Sequence, residues 1–319
     1  MLLVTGGAGY VGSHAARALR AAGSRVVVYD DLSEGHRDAV LDAPLVVGDV
    51  LDTDRLRATI REHDVEGVLH FAARCYVGES QREPERYWRV NRDGTRSLLA
   101  AMRAEGVTRV LFSSTCAVYG VPDEVPMHED LPHRPISVYG ETKSAMEADI
   151  RAEPGLCYGI LRYFNAAGAS EDARLAERHD PETHLIPLAI RAAREGGELT
   201  VFGDDYDTPD GTCIRDYVHV CDLADAHVLG MRRLMEGGEP FTCNLGYGRG
   251  TSVLEILRSV ERVLGRPVPH RIGPRRPGDP PRLFARSDRA RALLGWAPTR
   301  TDVDVIVRTA ARALDALPA

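Results

Sequence analysis

Through the first half of the chain, short apolar runs alternate with longer segments whose apolar positions recur at helical spacing. Residues 2–5, 25–29, 45–47, 67–70, 109–113 and 158–164 read as buried strands, and 10–22, 54–63, 84–105 and 139–151 as the helices between them. Continuous apolar strands alternating with helices predict βαβ units and a parallel sheet covered on both faces. The expected fold class is therefore α/β: a doubly wound parallel Rossmann sheet whose site lies at the carboxyl ends of its strands. Beyond residue 164 the rhythm changes. A polar connection spans 166–183, a Pro-, Gly- and Arg-rich stretch spans 271–282, and helical patterns recur near 185–194, 222–235, 252–264 and 288–294. The pattern predicts a first domain over 1–166, with segments near 212–246 as candidates to return to it, and a smaller C-terminal α+β substrate lobe over 167–319. The Ala- and Arg-rich segments 289–294 and 310–317 read as exposed helix faces.

Composition narrows the function classes. With 44% apolar and 27% charged residues, the chain has enough core to fold without covalent staples. A net charge of -7 argues against nucleic acid as a partner, because polyanion binding needs a basic face. The six cysteines form no C-x-x-C and have no paired His to complete a zinc site, so the expectation is reduced thiols and no metal. The opening residues carry no basic leader and no apolar run is long enough for a bilayer, which predicts a cytoplasmic protein without a membrane partner.

Candidate chemistry begins directly after the first strand. In GGAGYVG, Gly6, Gly9 and Gly12 allow a tight turn and close backbone approach, while Tyr10 and Val11 open a helix whose N-terminus suits a diphosphate. About twenty residues on, Asp30 and Asp31 end the second strand, where a carboxylate accepts from ribose hydroxyls and repels a 2'-phosphate. That favours NAD over NADP. Asp49 and Val50, after the third strand, stand where the adenine is expected.

Of forty basic residues all are Arg but one, Lys143. A lone Lys suggests work for a compact ammonium that a planar guanidinium cannot do. Tyr139, four residues earlier, shares its helical face. Ser113, Ser114 and Thr115 end a strand, so their hydroxyls face the same carboxyl edge. A phenol has an ordinary pKa of about 10, which a nearby ammonium and a cationic nicotinamide would lower. Tyr139 is then a candidate proton acceptor in an alcohol/ketone redox step on NAD.

On these residues the chain resembles the extended short-chain dehydrogenase/reductase family and, within it, the UDP-glucose 4-epimerases. The likeness covers nearly the whole length: TGGAGYVG at 5–12, HFAA at 70–73, VGES at 77–80, SSTCAVYG at 113–120, YGETK at 139–143 and RYFNAAGA at 162–169. HLIPLA at 184–189, the segment 202–227 and RRPGD at 275–279 look like the epimerases specifically. The resemblance implies that NAD is retained: Tyr139, assisted by Thr115 and with Lys143 on the nicotinamide ribose, takes the proton from the sugar O4 as C4 gives up hydride. The 4-keto sugar then turns and is reduced on its other face, interconverting UDP-glucose and UDP-galactose. Leu32, Phe71, Ala72, Ala73, Asn91, Ser113, Tyr163 and Phe164 match cofactor-side positions. Asn165, His184, Leu185, Phe202, Arg215, Tyr217, Arg276 and Asp279 match the nucleotide grip on a UDP-sugar. Leu283 matches the position that limits the C2 substituent and favours plain hexoses. The family further implies a homodimer, through helices such as 84–105 and 139–151.

Three departures stand out: Asp31 and His184 occupy positions often Asn in the family, and Cys75 one that is Lys in some members. Cys116 and Ala117 after the Thr cannot do the acid/base work of a 4,6-dehydratase. Epimerases of N-acetylhexosamine, pentose or uronate UDP-sugars would use the same Tyr and Lys. A dehydrogenase releasing NADH is a further reading, and a non-catalytic NAD-sensing module would not need this set.

Overall fold

The computed structural model describes residues 1–276 and 278–317; Pro277, inside the 275–279 motif, and the last two residues of the expected second lobe lie outside the described residues. Strands β1 (Leu2–Thr5), β2 (Val26–Asp30), β3 (Leu45–Val47), β4 (Gly67–His70), β5 (Arg109–Thr115) and β6 (Cys157–Tyr163) run in the order β3-β2-β1-β4-β5-β6 in one seven-stranded sheet. The strand Phe241–Leu245 completes it beside β6, and every pairing is parallel. Alternate residues of a strand feed two different cores. Leu2 and Val4 pack with Ala16, Leu19 and Leu223, whereas Leu3 packs with Leu98, Met102 and Ile150. Covering both faces is why the strands read as unbroken apolar runs. The strand order reverses between β1 and β4, and the crevice at this switch point is where such sheets bind ligands.

The helix Val138–Ala152 carries the Tyr/Lys pair. Ser137 caps it by accepting from Gly140 N at 3.1 Å, with Glu141 in the first turn and Arg151 in the last to match the helix dipole. The expected single helix over 84–105 is instead helical over Pro84–Tyr87, π-helical over Trp88–Asp93 and helical again over Gly94–Ala104. The wide turn seats Asn91, whose Oδ1 accepts from Arg74 N (2.7 Å) and whose Nδ2 donates to Arg74 O (3.1 Å) and Thr142 Oγ1 (3.0 Å).

No strand was expected at Phe241–Leu245, because Thr242 and Asn244 interrupt its apolar pattern; the Oδ1 of buried Asn244 accepts from the Tyr119 hydroxyl at 2.7 Å. The preceding helix Val220–Met235 buries Leu223, Met231 and Leu234 in the same core as β1. A separate core gathers Ile186, Ile190, Ile256, Val260, Ile306 and Val307 from the helices Leu185–Glu195, Val253–Leu264 and Val303–Ala316. Among the described residues, no helix is long and apolar enough to cross a membrane.

Candidate active site

One cleft of about 2040 Å³ opens at the carboxyl edge of the sheet, and all the expected site residues line it except Leu32 and Asn91. Leu32 packs against the core instead, at a positive φ of 62°. Asn91 is fully buried and its amide is spent on Arg74 and Thr142, so it shapes the cleft wall from behind.

The glycines form a cradle that side chains would fill. A Cβ on Gly6 would stand 2.5 Å from Ala72 N, and one on Gly12 would stand 2.2 Å from Gly6 O. Gly9 begins the helix Tyr10–Ala21 with no side-chain cap, leaving first-turn amides for an anion. Asp30 is buried, and its two carboxylate oxygens accept one backbone N–H each, from Ala8 and Leu32, both at 2.9 Å. The remaining lone pairs suit ribose hydroxyls. Asp31 Oδ1 accepts from both the amide and the hydroxyl of Ser33. Asp49 Oδ1 likewise accepts from Leu51 N. These features fit a dinucleotide with an unphosphorylated ribose.

The reacting end lies where β5 meets the helix Val138–Ala152. Lys143 is buried, donates from Nζ to Ser113 O at 2.8 Å and lies 4.8 Å from the centre of the Phe112 ring. Burial lowers its pKa to about 8, against the opposing pull of Cys75 and Glu147, so the ammonium persists at neutral pH. Ser113 Oγ is hydrogen-bonded to the Tyr163 hydroxyl. Tyr139 differs from expectation: burial pushes its phenol well above the ordinary value, with Cys75 adding to the rise and the nearby Thr115 hydroxyl opposing it. The Lys143 ammonium does not offset this rise, since its Nζ is directed at the Ser113 carbonyl. Behind them His70 is held neutral, its pKa lowered to about 3 by burial and by Lys143.

A buried network supports this end that the sequence does not announce. Glu147, four residues after Lys143, accepts from Arg162 Nε at Oε1 (2.8 Å) and from Arg162 Nη2 at Oε2 (2.6 Å). Ser114 Oγ donates to the same carboxylate, and Arg151 closes on it at 2.9 Å. The network therefore ties the last turn of β5 to the helix carrying Tyr139 and Lys143.

The second lobe supplies the opposite wall. Arg215 Nη2 pairs with Asp279 Oδ1 at 2.6 Å, and the Arg276 guanidinium stacks 4.0 Å from the centre of the Phe202 ring. Leu283 is paired in register with Arg215, and Asn165 with Tyr217. His184 departs from a simple ligand contact: its Nδ1 lies 2.9 Å from Glu177 Oε1 and 2.8 Å from Glu182 Oε1. Burial disfavours its charge, yet the two carboxylates raise its pKa to about 10. His179 completes a four-residue cluster that the expectation of no metal did not foresee. The only signal for it was the spacing E-x-H-x-x-E-x-H within a polar connection.

The model of the NAD dependent epimerase/dehydratase family matches residues 2–246 of this chain. A UDP-glucose 4-epimerase of Azospirillum brasilense is 49% identical over 314 residues, covering 97% of this chain and 90% of that protein. Among solved structures, the UDP-glucose 4-epimerase of Brucella ovis in complex with NAD superposes with a TM-score of 0.95 at 50% identity, over 98% of this chain and 97% of the other. The UDP-glucose 4-epimerase of Bifidobacterium longum in complex with NAD+ and UDP gives a TM-score of 0.92 at 35% identity, over 99% and 98% of the two chains.

Proposed function

The chain belongs to the NAD dependent epimerase/dehydratase family, and on that premise we propose that it is an isomerase, a 4-epimerase that interconverts UDP-glucose and UDP-galactose with NAD as a retained cofactor. The observation that carries this reading is a single cleft in which the glycine cradle, the Thr115/Tyr139/Lys143 group and the Arg215/Arg276 wall face one another. The cradle Gly6–Gly12 and Asp30 would hold NAD, which when bound supplies a reversible hydride acceptor with a cationic ring. Tyr139 takes and returns the proton of the sugar 4-hydroxyl at its phenol oxygen, and Thr115 orients that oxygen. Lys143 holds the ribose and contributes the positive charge that works against the burial of the phenol. Arg215 and Arg276 offer charged donor forks to the diphosphate, and Asp279 accepts from the uridine ribose. Gripping the nucleotide while leaving the sugar loose lets a 4-keto sugar turn between its two faces. Leu283 bounds the sugar end and favours plain hexoses.

In a direct test, purified protein receives UDP-galactose with no added dinucleotide. UDP-glucose should form without steady growth of NADH absorbance; NADH accumulating with no epimer would identify a dehydrogenase. We also assign a homodimer to the helical stretch from Trp88–Asp93 through Gly94–Ala104 and the helix Val138–Ala152, joined within one chain by Arg92 and Arg96 on Asp149. Sedimentation should give twice the 34.9 kDa chain mass, and a monomer at micromolar concentration would refute the assignment.

A further inference from the structure

We propose that Glu177, His179, Glu182 and His184 bind one divalent transition-metal ion, zinc by the chemistry of the donors, which fixes this segment beside the cleft. The four donor atoms lie within 4.8 Å of one another. His184 Nδ1 is 2.9 Å from Glu177 Oε1, while His179 Nδ1 is 3.2 Å from Glu177 Oε1 and 3.9 Å from Glu182 Oε2. A tetrahedral ion with bonds of about 2.0–2.1 Å separates its ligands by about 3.3–3.4 Å, inside that range. Small side-chain movements would therefore close the set.

A second observation points to a ligand independently. Glu182 Oε2 is buried without a hydrogen-bond partner, and the Glu182 side chain is only 1% exposed. Glu182 Oε1, by contrast, takes the amides of Thr183 and His184, both at 2.7 Å. One carboxylate oxygen is thus committed to the turn and the other faces the cluster bare, which is costly for a buried acceptor. Glu177 is buried as well. Ordinary surface acids do not have this environment.

The donors also decide the class of ion. Two imidazole nitrogens with two carboxylates suit zinc, whereas calcium and magnesium prefer all-oxygen sets. Two carboxylates and two neutral imidazoles sum to a charge of about -2, which a divalent cation cancels. Ligation through His184 Nδ1 would leave the ring proton on Nε2. The segment is already tethered through Arg178, which pairs with Asp38 at 2.6 Å and whose carbonyl oxygen lies 3.0 Å from His36 Nε2. A metal would add a second tether just before the helix Leu185–Glu195.

The test uses the full chain without an affinity tag, stripped with a chelator and titrated with zinc chloride by calorimetry. One ion per chain and a raised Tm are expected, as for any ligand that binds only the folded state. Glu182→Gln and His179→Gln should each weaken binding by at least about 100-fold, more than loss of an outer-shell partner. Failure of the stripped wild type to bind, or wild-type affinity in Glu182→Gln, would overturn the proposal. If a variant misfolds, the zinc absorption edge of the loaded wild type still decides. Only nitrogen and oxygen neighbours are expected, and sulfur would move the ion to a cysteine and refute the site.

Discussion

Tyr139→Phe should lower kcat for UDP-galactose conversion by about 10²–10⁴-fold, the range for losing a positioned proton-transfer group, while NAD stays bound. The phenyl ring keeps the buried volume, so the substitution removes only the oxygen. Most of the expected NAD contacts lie elsewhere, among them the Gly6–Gly12 cradle and Asp30, whose carboxylate is held by Ala8 and Leu32. Dinucleotide released on denaturation should therefore match wild type as turnover collapses. A variant with full activity would end the proposed role of this phenol. The raised pKa of Tyr139 sharpens the point: burial alone would keep the phenol protonated, so proton transfer depends on the positive charges that meet it in the loaded cleft.

Glu147→Gln should cost about 3–5 kcal/mol of stability, the usual result of removing one partner from a buried ion pair. Glu147 is fully buried and the Arg162 guanidinium facing it nearly so. A neutral amide would leave that guanidinium, and Arg151 beside it, without a countercharge. Burial alone would raise the Glu147 pKa, but Arg162, Arg151 and Ser114 outweigh it and hold the carboxyl below its ordinary value. A depressed folded-state pKa contributes stability above the unfolded value and loses it as pH falls through the folded one, so the pair also resists mild acid. Urea midpoints of wild type and variant measure the loss. The double replacement Glu147→Leu with Arg162→Met should lose less than the single, since the buried guanidinium goes too and only the part-exposed Arg151 loses its partner. A single-variant loss under about 1 kcal/mol would contradict a buried, committed pair.

Much of this was legible in the sequence, and the exceptions share a cause. Strands β1, β2 and β4 were visible because burial on both faces demands unbroken apolar runs. The Gly6–Gly12 turn and the shared helix of Tyr139 and Lys143 were visible because local spacing sets them. Glu147 continues that spacing by one turn and, without tertiary information, looks like any solvated helix acid; only its partner Arg162, on β6, reveals its burial. The break at Trp88–Asp93 follows from Asn91 reaching Arg74 and Thr142, contacts between segments far apart in the chain. The strand Phe241–Leu245 hid behind Thr242 and Asn244. His184 appeared as a lone substitution, because its meeting with Glu177, His179 and Glu182 belongs to the folded loop and not to any periodic pattern.

The central claim is that this cleft epimerises the 4-hydroxyl of a plain UDP-hexose on a dinucleotide it keeps. Its most direct test incubates the purified protein, with no added NAD, separately with UDP-galactose, UDP-N-acetylgalactosamine and a UDP-pentose, and identifies the sugars formed. Conversion of UDP-galactose to UDP-glucose, with the other two unchanged or far slower, is the predicted result. UDP-galactose recovered intact from protein shown to carry NAD would contradict it.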